Sequence, residues 1–346
     1  IVTCARSFTD EVGVFSDFNA FGIRTFRIDL FKPLSEQDHV DAIFHKIMMH
    51  ELSSKARDQY SSLTEEDTRI IGWMKETRSM HPHLLWIDDM GNLDAFLERS
   101  YSYVVAQQAI DAAHLGSLLH VPEYYLLPKG TSDQIPYTII DVRLLPFPVD
   151  INLPVLTKPE LTTGDPQSHL IDILLDERAI PSTYPIDMVV QRYCNHNGVI
   201  YKVYAIEDAV FIESDTRSPT HLIVSRFDSI HLVVGQRWQV HGGSTEAVPA
   251  SFNVNDTTPM RQNEIINEET TSVGPMSESM VRSYVLAIEK ILNKKLLGID
   301  LIVDAEDPSL VHCIDINLFP SYTGFPNVSE VMARFIVNAI GKCRVC

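Results

Sequence analysis

The sequence has little positive charge, little cysteine and no long apolar run. Its 28 lysines and arginines stand against 46 aspartates and glutamates, a formal net charge of −18. So acidic a balance argues against broad nucleic-acid binding and against docking on an anionic membrane. It also means that any site for a highly anionic small molecule must be locally basic. No stretch of about 18 uninterrupted apolar residues occurs, so no transmembrane helix is expected. Residues 1–13, IVTCARSFTDEVG, have neither the basic nor the long apolar segment of a signal peptide. The five cysteines (Cys4, Cys194, Cys313, Cys343 and Cys346) are scattered and odd in number, which fits a reducing cytosol or nucleus. Cys343 and Cys346 have C-x-x-C spacing without a second pair or a paired histidine, and read as a mobile tail. Two sequons, at Asn255 and Asn327, mean little without secretion. Also missing are a P-loop, a GxGxxG string and a GxSxG string. His50-Glu51 opens a zincin-like pattern, but Ser54 occupies the position of the second ligand.

What is present describes an ordinary globular chain. Its 346 residues are 45% hydrophobic and 21% charged, enough for two or three domains with sizeable cores. Residues 21–30 and 40–44 read as strands, 63–80 as a helix and 83–87 as a short strand. Asn92 can cap a helix through Glu98, and residues 101–113 continue helically. This alternation predicts a small α/β domain over residues 1–115. Residues 120–127 read as one strand and 128–150 as an irregular loop. Strands are expected at 153–158, 169–175, 188–193, 199–206, 209–213, 222–226 and 231–240. Residues 242–269, polar and rich in Asn and Thr, are the best candidate for a mobile segment. Ser277 can cap a helix carrying Val281, Tyr284, Ile288 and Ile291 on one face. Residues 329–340 close the chain as a helix.

The most informative stretch is 296–325, LLGIDLIVDAEDPSLVHCIDINLFPSYTGF. Two apolar runs, 296–303 and 311–318, joined by Asp307-Pro308-Ser309 turn chemistry, predict a β-hairpin with a long loop. Strand alternation sends Asp315 and Asn317 to one side and Ile314, Ile316 and Leu318 to the other. An acid in such a strand costs several kcal/mol unless something pairs it. With Asp300 on the first strand, the hairpin offers two carboxylates and an amide, hard oxygen ligands suited to Mg²⁺. The plainer alternative is a pair of edge acids facing solvent.

Other residues fall into place around this hairpin. Lys158 ends an apolar strand before a loop containing Gly164. A lysine there can reach nucleotide phosphates while the glycine lets backbone N–H groups approach them; a strand-end lysine facing water is the alternative. Gln191 lies in an apolar strand whose backbone could receive an adenine edge. Lys202 is a charge inside another strand and needs a solvated face or an anionic partner. Arg217 could stabilise transferring phosphate oxygens. His45 and His169, taken singly, fit a surface or core histidine equally well.

In this order the residues resemble the ATP-grasp architecture, and more specifically the inositol 1,3,4-trisphosphate 5/6-kinase family, also called inositol-tetrakisphosphate 1-kinases. The resemblance rests on VVQRYCNHNGVIYKVYAI (189–206), LLGIDLIV (296–303) and IDINLFPSYTGFP (314–326). Weaker echoes are DAIFHK (41–46), FLERSYSY (96–103) and LPVLTKPELTTGDPQSH (153–169). It implies an α/β (α+β) fold in which a small N-terminal α/β domain, residues 1–115, precedes two ATP-grasp subdomains, residues 116–195 and 196–346, with ATP between the two. It implies that Arg99 and Lys158 contact ATP phosphates, with Gly164 in the phosphate loop and Gln191 and Tyr193 at the adenine hinge. Asp300, Asp315 and Asn317 would hold one or two Mg²⁺ ions. Lys46, His169, Lys202, Asn317 and Ser321 would line the inositol phosphate site, with Lys202, His169 and Arg217 serving the transfer. Phosphoryl transfer needs mainly positioning and charge stabilisation, which such residues supply.

The departures from the family pattern lie in the substrate half. Residues 4–14 contain Arg6 but no counterpart of the family's substrate-binding lysine. Thr163 stands where the family has a histidine beside the loop glycine, the loop to His169 is one residue longer, and 211–247 is lengthened. They point to a less phosphorylated substrate, weaker binding or a drifted activity. The expectation is a monomeric cytosolic kinase, with the nucleus as a second compartment, that uses ATP and inositol polyphosphates and binds neither nucleic acid nor membrane. The rivals are an ATP-grasp carboxylate–amine ligase and a non-catalytic nucleotide or inositol phosphate binder.

Overall fold

A computed structural model describes residues 2–4, 14–15, 17–29, 32–45, 65–88, 98–127, 137–140, 143–146, 155–162, 170–174, 186–196, 199–215, 229–233, 236–240 and 276–345. Three sheets are formed among the described residues. In chain order the elements are β1 (Val2–Cys4), β2 (Phe26–Arg27), β3 (Ala42–His45), α1 (Glu65–Met80), β4 (Leu85–Ile87), α2 (Arg99–Ala112), β5 (Leu119–His120), β6 (Tyr124–Leu127), β7 (Tyr137–Ile140) and β8 (Arg143–Pro146). Then come β9 (Val155–Pro159), β10 (Leu170–Leu174), β11 (Met188–Arg192), β12 (Ile200–Ile206), β13 (Ala209–Asp215), β14 (Ser229–Val233), β15 (Gln236–Val240), α3 (Glu278–Leu292), β16 (Leu296–Val303), β17 (Val311–Leu318) and α4 (Val328–Val345).

The first sheet is parallel, in the order β2-β1-β3-β4. Its central strand β3 is buried along its whole length, as a strand covered on both faces must be. Ile43 packs with Trp73 and Met74 of α1, and Phe44 with Phe319 and the residues of α4. The second sheet is antiparallel, β15-β14-β10-β9-β11-β6-β7-β8, and the third runs β13-β12-β16-β17-β5. One face of the third sheet, with Val203, Ala205, Leu297, Ile299, Leu301, Val311, Cys313 and Ile316, packs on α2 and α3. The α3 helix begins where expected: Ser277 accepts the Met280 N–H at 3.1 Å. A side-chain cap of this kind is worth about 1 kcal/mol.

Several expectations need correction. Of the strand expected over 21–30, only Phe26–Arg27 pairs among the described residues, and Phe18–Phe21 is a 3₁₀ turn closed by left-handed Gly22. The single strand expected over 120–127 is two strands in two sheets. Pro122 has no N–H for a ladder, and there the chain leaves β17's edge (β5) for the second sheet (β6). The loop expected over 128–150 contains the hairpin β7–β8, and 231–240 is likewise a hairpin, β14–β15. The expected tail at Cys343 is the last turn of α4. The cap at Asn92, the strand at 222–226 and the segment 242–269 lie outside the described residues.

The layers also exchange elements across the expected segment limits of 115 and 195. Helix α2 packs on the third sheet, and β14–β15 join the second. Asp88, just after β4, accepts the N–H groups of Lys295 and Leu296 at 2.5 and 2.8 Å, tying the first sheet to the third. Among the described residues no helix is long and apolar enough to cross a membrane.

Candidate active site

A row of four charged residues crosses the third sheet. Glu213 on β13 pairs with Lys202 on β12, Lys202 with Asp300 on β16, and Asp300 with Asp315 on β17. Directly opposed side chains have Cβ atoms about 4.5–5.5 Å apart, so the two acids share one small volume. Their direction depends on a bulge. Asp300 pairs with Asp315 but Leu301 with Cys313, which leaves Ile314 as the extra residue. A bulge flips the alternation, so Cys313 and Ile316 both reach the helical core while Asp315 and Asn317 face the opposite way with Asp300. The simple alternation expected from sequence had Ile314 on the core face; Ile314 is the bulged residue instead.

The carboxylate is oriented locally. Asp315 Oδ1 accepts its neighbour's N–H, that of Ile316, at 3.1 Å, and Asn317 Nδ2 donates to Asp315 Oδ2 at 3.3 Å. Gly298 stands opposite Asn317, and a Cβ there would lie 2.8 Å from Cβ of Pro320. The glycine thus admits the loop that follows β17. In that loop Phe319 and Tyr322 hold positive φ, and the Tyr322 hydroxyl donates to the Ala205 carbonyl at 3.2 Å. Strained backbone held in place by buried contacts is the usual setting of a fixed functional loop. It carries Ser321, beside the Tyr204 phenol and 3.0 Å from Thr323 Oγ1.

The second sheet supplies the other wall. Lys158 on β9 donates through Nζ to Gln191 Oε1 on β11 at 2.9 Å, both buried. Burial, then the nearby Arg99 guanidinium, lower the Lys158 ammonium to about 8, while Asp315 and Asp300 act the other way. Lys158 therefore lies within electrostatic reach of the acid pair on the third sheet. Arg99, at the start of α2, donates Nε to the Pro159 carbonyl at 2.9 Å, and its N–H bonds the Glu160 carbonyl at 2.9 Å. These bonds fix the guanidinium beside Lys158. Two polar atoms at fully buried residues, Gln191 Nε2 and Thr157 Oγ1, have no hydrogen-bond partner among the described residues. A buried group left unmade costs about 1–3 kcal/mol. Gln191 shares its face of the sheet with Lys158, where a purine edge has acceptors for its amide, whereas Thr157 pairs with Val190 on the other face.

The structure thus brings Arg99, Lys158 and Gln191 together on one side, and Lys202, Asp300, Asp315 and Asn317 on the other. Tyr193 is buried after β11, its ring 5.9 Å from that of His196. Lys46, Gly164, His169 and Arg217 lie outside the described residues. Three residues missed from sequence belong to the setting. Glu160 is buried, takes hydrogen bonds from the Ser100 hydroxyl and N–H, and is raised by burial to about 8. Tyr103, with its hydroxyl unpartnered among the described residues, has its phenol pushed above the usual range by burial. Glu213 closes the charged row. Glu160 had one signal, its place directly after Lys158-Pro159.

Oxygen donors from two carboxylates and an amide, set close together, are a hard donor set that fits Mg²⁺. Facing a lysine, an arginine and an orphaned amide, they make up the candidate active site of a fold of the ATP-grasp class. The fold is that of D-cycloserine synthetase DcsG, with a TM-score of 0.51 at 12% identity, covering 98% of both chains. It is also that of the ATP-grasp ligase PsnB, with a TM-score of 0.50 at 10% identity, covering 98% of this chain and 97% of that one. Residues 147–338 match the family described as the inositol 1,3,4-trisphosphate 5/6-kinase ATP-grasp domain, and the chain belongs to that family. It is 24% identical over 330 residues to inositol-tetrakisphosphate 1-kinase 4 of Glycine max, covering 93% of this chain and 82% of the relative. It is 21% identical over 324 residues to inositol-tetrakisphosphate 1-kinase of Xenopus laevis, covering 93% and 73%.

Proposed function

We propose that the chain is a Mg²⁺-dependent kinase that transfers the γ-phosphate of ATP to a hydroxyl of an inositol tris- or tetrakisphosphate. The observation that carries this reading is the charged row Lys202–Asp300–Asp315, set within electrostatic reach of Lys158. In this reading ATP lies between the second and third sheets. The Gln191 amide and the β11 backbone take the adenine, and Lys158 and Arg99 neutralise phosphate oxygens. Asp300, Asp315 and Asn317 would hold Mg²⁺, which would offset the charge that develops on the phosphate oxygens. Lys202, next in the row, turns its ammonium to the acceptor's phosphates and orients the attacking hydroxyl, with Ser321 on the loop beside it. Lys46, His169 and Arg217 complete the acceptor side and the transfer, and Gly164 and Tyr193 the nucleotide side.

The reading divides the chain into an acceptor-side unit, residues 1–115, whose helix α2 lends Arg99 to the nucleotide, and two nucleotide-side units, 116–195 and 196–346. It also takes the protein as a cytosolic monomer, in keeping with its few scattered cysteines. Net charge of −18 makes the local cluster of Lys158, Arg99 and Lys202 the natural landing place for polyanions. The test offers ATP and Mg²⁺ with either a panel of inositol polyphosphates or carboxylate–amine pairs. ADP formed with a more highly phosphorylated inositol supports the kinase. ADP and phosphate formed only with a carboxylate–amine pair would replace it with a ligase.

A further inference from the structure

Cys194, Asp304 and His312 converge from three stretches that the proposed reaction does not use. Cys194 lies just after β11, Asp304 just after β16, and His312 on β17. One ligand atom from each lies within 4.8 Å of the other two. The stretches are fastened beside the cluster, where the Ala305 N–H bonds the Asn195 carbonyl at 2.8 Å. Asp304 is oriented by its own turn: Oδ1 accepts the N–H groups of Glu306 and Asp307 at 2.8 and 3.2 Å. That leaves Oδ2 toward the imidazole, 3.2 Å from His312 Nε2. Two ligands about 2.0–2.1 Å from a tetrahedral zinc ion stand about 3.3 Å apart, so this pair is already spaced for one ion. Cys194 and His312 are 8% and 9% exposed, and His312 Nδ1 is buried with no hydrogen-bond partner among the described residues.

We propose that Cys194, Asp304 and His312 form a structural site for a divalent transition metal, best fitted by Zn²⁺, with water as fourth ligand. The donor set selects the ion. A thiolate and an imidazole suit zinc and its neighbours, whereas Mg²⁺ and Ca²⁺ take oxygen. On binding, the S–H bond breaks, its proton passes to solvent, and the sulfur pair forms the metal bond. The thiolate and the Asp304 carboxylate then balance the two positive charges. Burial, then the Asp304 carboxylate, hold the free thiol up at about 11, and Arg192 acts the other way. The site ties the loop after Gln191's strand to the hairpin that bears Asp300 and Asp315. It therefore fixes the spacing of the two nucleotide-binding walls, whatever acceptor they serve.

The test uses the full chain carrying Cys343→Ser and Cys346→Ser, which removes the other C-x-x-C pair, stripped with a chelator and titrated with Co²⁺. The expected result is one equivalent bound with a thiolate-to-metal charge-transfer absorption, which Co²⁺ at the all-oxygen acid pair would not give. Cys194→Ser abolishes that absorption. Asp304→Asn, whose amide oxygen still accepts both turn N–H groups, weakens binding by about tenfold or more. Zn²⁺ displaces the Co²⁺ and raises the unfolding temperature of the parent but not of Cys194→Ser. Absence of the absorption, or its survival in Cys194→Ser, overturns the proposal.

Discussion

Asp300 stands directly opposite Asp315 across the β16–β17 ladder, with the Ile314 bulge at the next step. The bulge turns Asp315 and Asn317 away from the helical core and toward the same side as Asp300. Without the bulge, the register that pairs Leu301 with Cys313 would set Asp315 opposite Ile299, on the core face.

Lys202 is the next member of that row and, in the proposed function, meets the acceptor. Lys202→Ala is expected to raise the KM for the inositol polyphosphate by about tenfold or more, since a hydrogen bond to a charged group is worth about 1.5–3 kcal/mol. The KM for ATP should change far less. Steady-state kinetics with each substrate varied in turn separates the two, and equal effects would remove Lys202 from the acceptor site.

Nucleotide affinity should depend on pH through Lys158. Its ammonium titrates near 8 in the free protein, and bound phosphates favour the charged form, so binding takes up a proton around that pH. The Kd for ATP is therefore expected to rise as pH increases through about 8. Calorimetric titration across that range measures it, and Lys158→Met should bind weakly with a flat profile.

Glu160 makes a prediction of opposite character, on stability. Its carboxyl is raised from the ordinary 4.5 to about 8 by burial, so the folded state holds its proton more tightly than the unfolded chain. The resulting stabilisation is present below about pH 4.5 and is lost as pH rises to about 8. Glu160→Gln, a neutral group of the same shape, should melt close to the parent at about pH 5 and above it at about pH 9. Thermal unfolding at both pH values checks the crossover.

Gly298 should tolerate no side chain. With a Cβ 2.8 Å from Cβ of Pro320, Gly298→Ala must move the loop that carries Ser321, at a cost of about 1–3 kcal/mol. Chemical denaturation reads that cost, and turnover should fall with it because Asn317 lies opposite.

How much of this was legible in the sequence varies with how local the cause is. The hairpin, the Ser277 cap and the row of acids were readable because turn chemistry, capping and alternation act within a few residues. The bulge at Ile314 was not, since it is defined only by the partner strand. Nor was the division of 119–127 between two sheets foreseen, although Pro122 was the available mark. Lys158 and Gln191 could be nominated singly, but their 2.9 Å contact depends on β9 pairing with β11 across 33 positions. Cys194 lies farther still from Asp304 and His312, and no spacing rule joins it to that pair.

The central claim is that the acid pair supports phosphate transfer to an inositol polyphosphate. The most direct measurement follows label from γ-labelled ATP in the presence of Mg²⁺, comparing the parent with Asp315→Ala after separating products by charge. The account predicts a labelled, more highly phosphorylated inositol with the parent and none with Asp315→Ala, while the variant keeps its fold by circular dichroism. Equal labelling by the two proteins would contradict it.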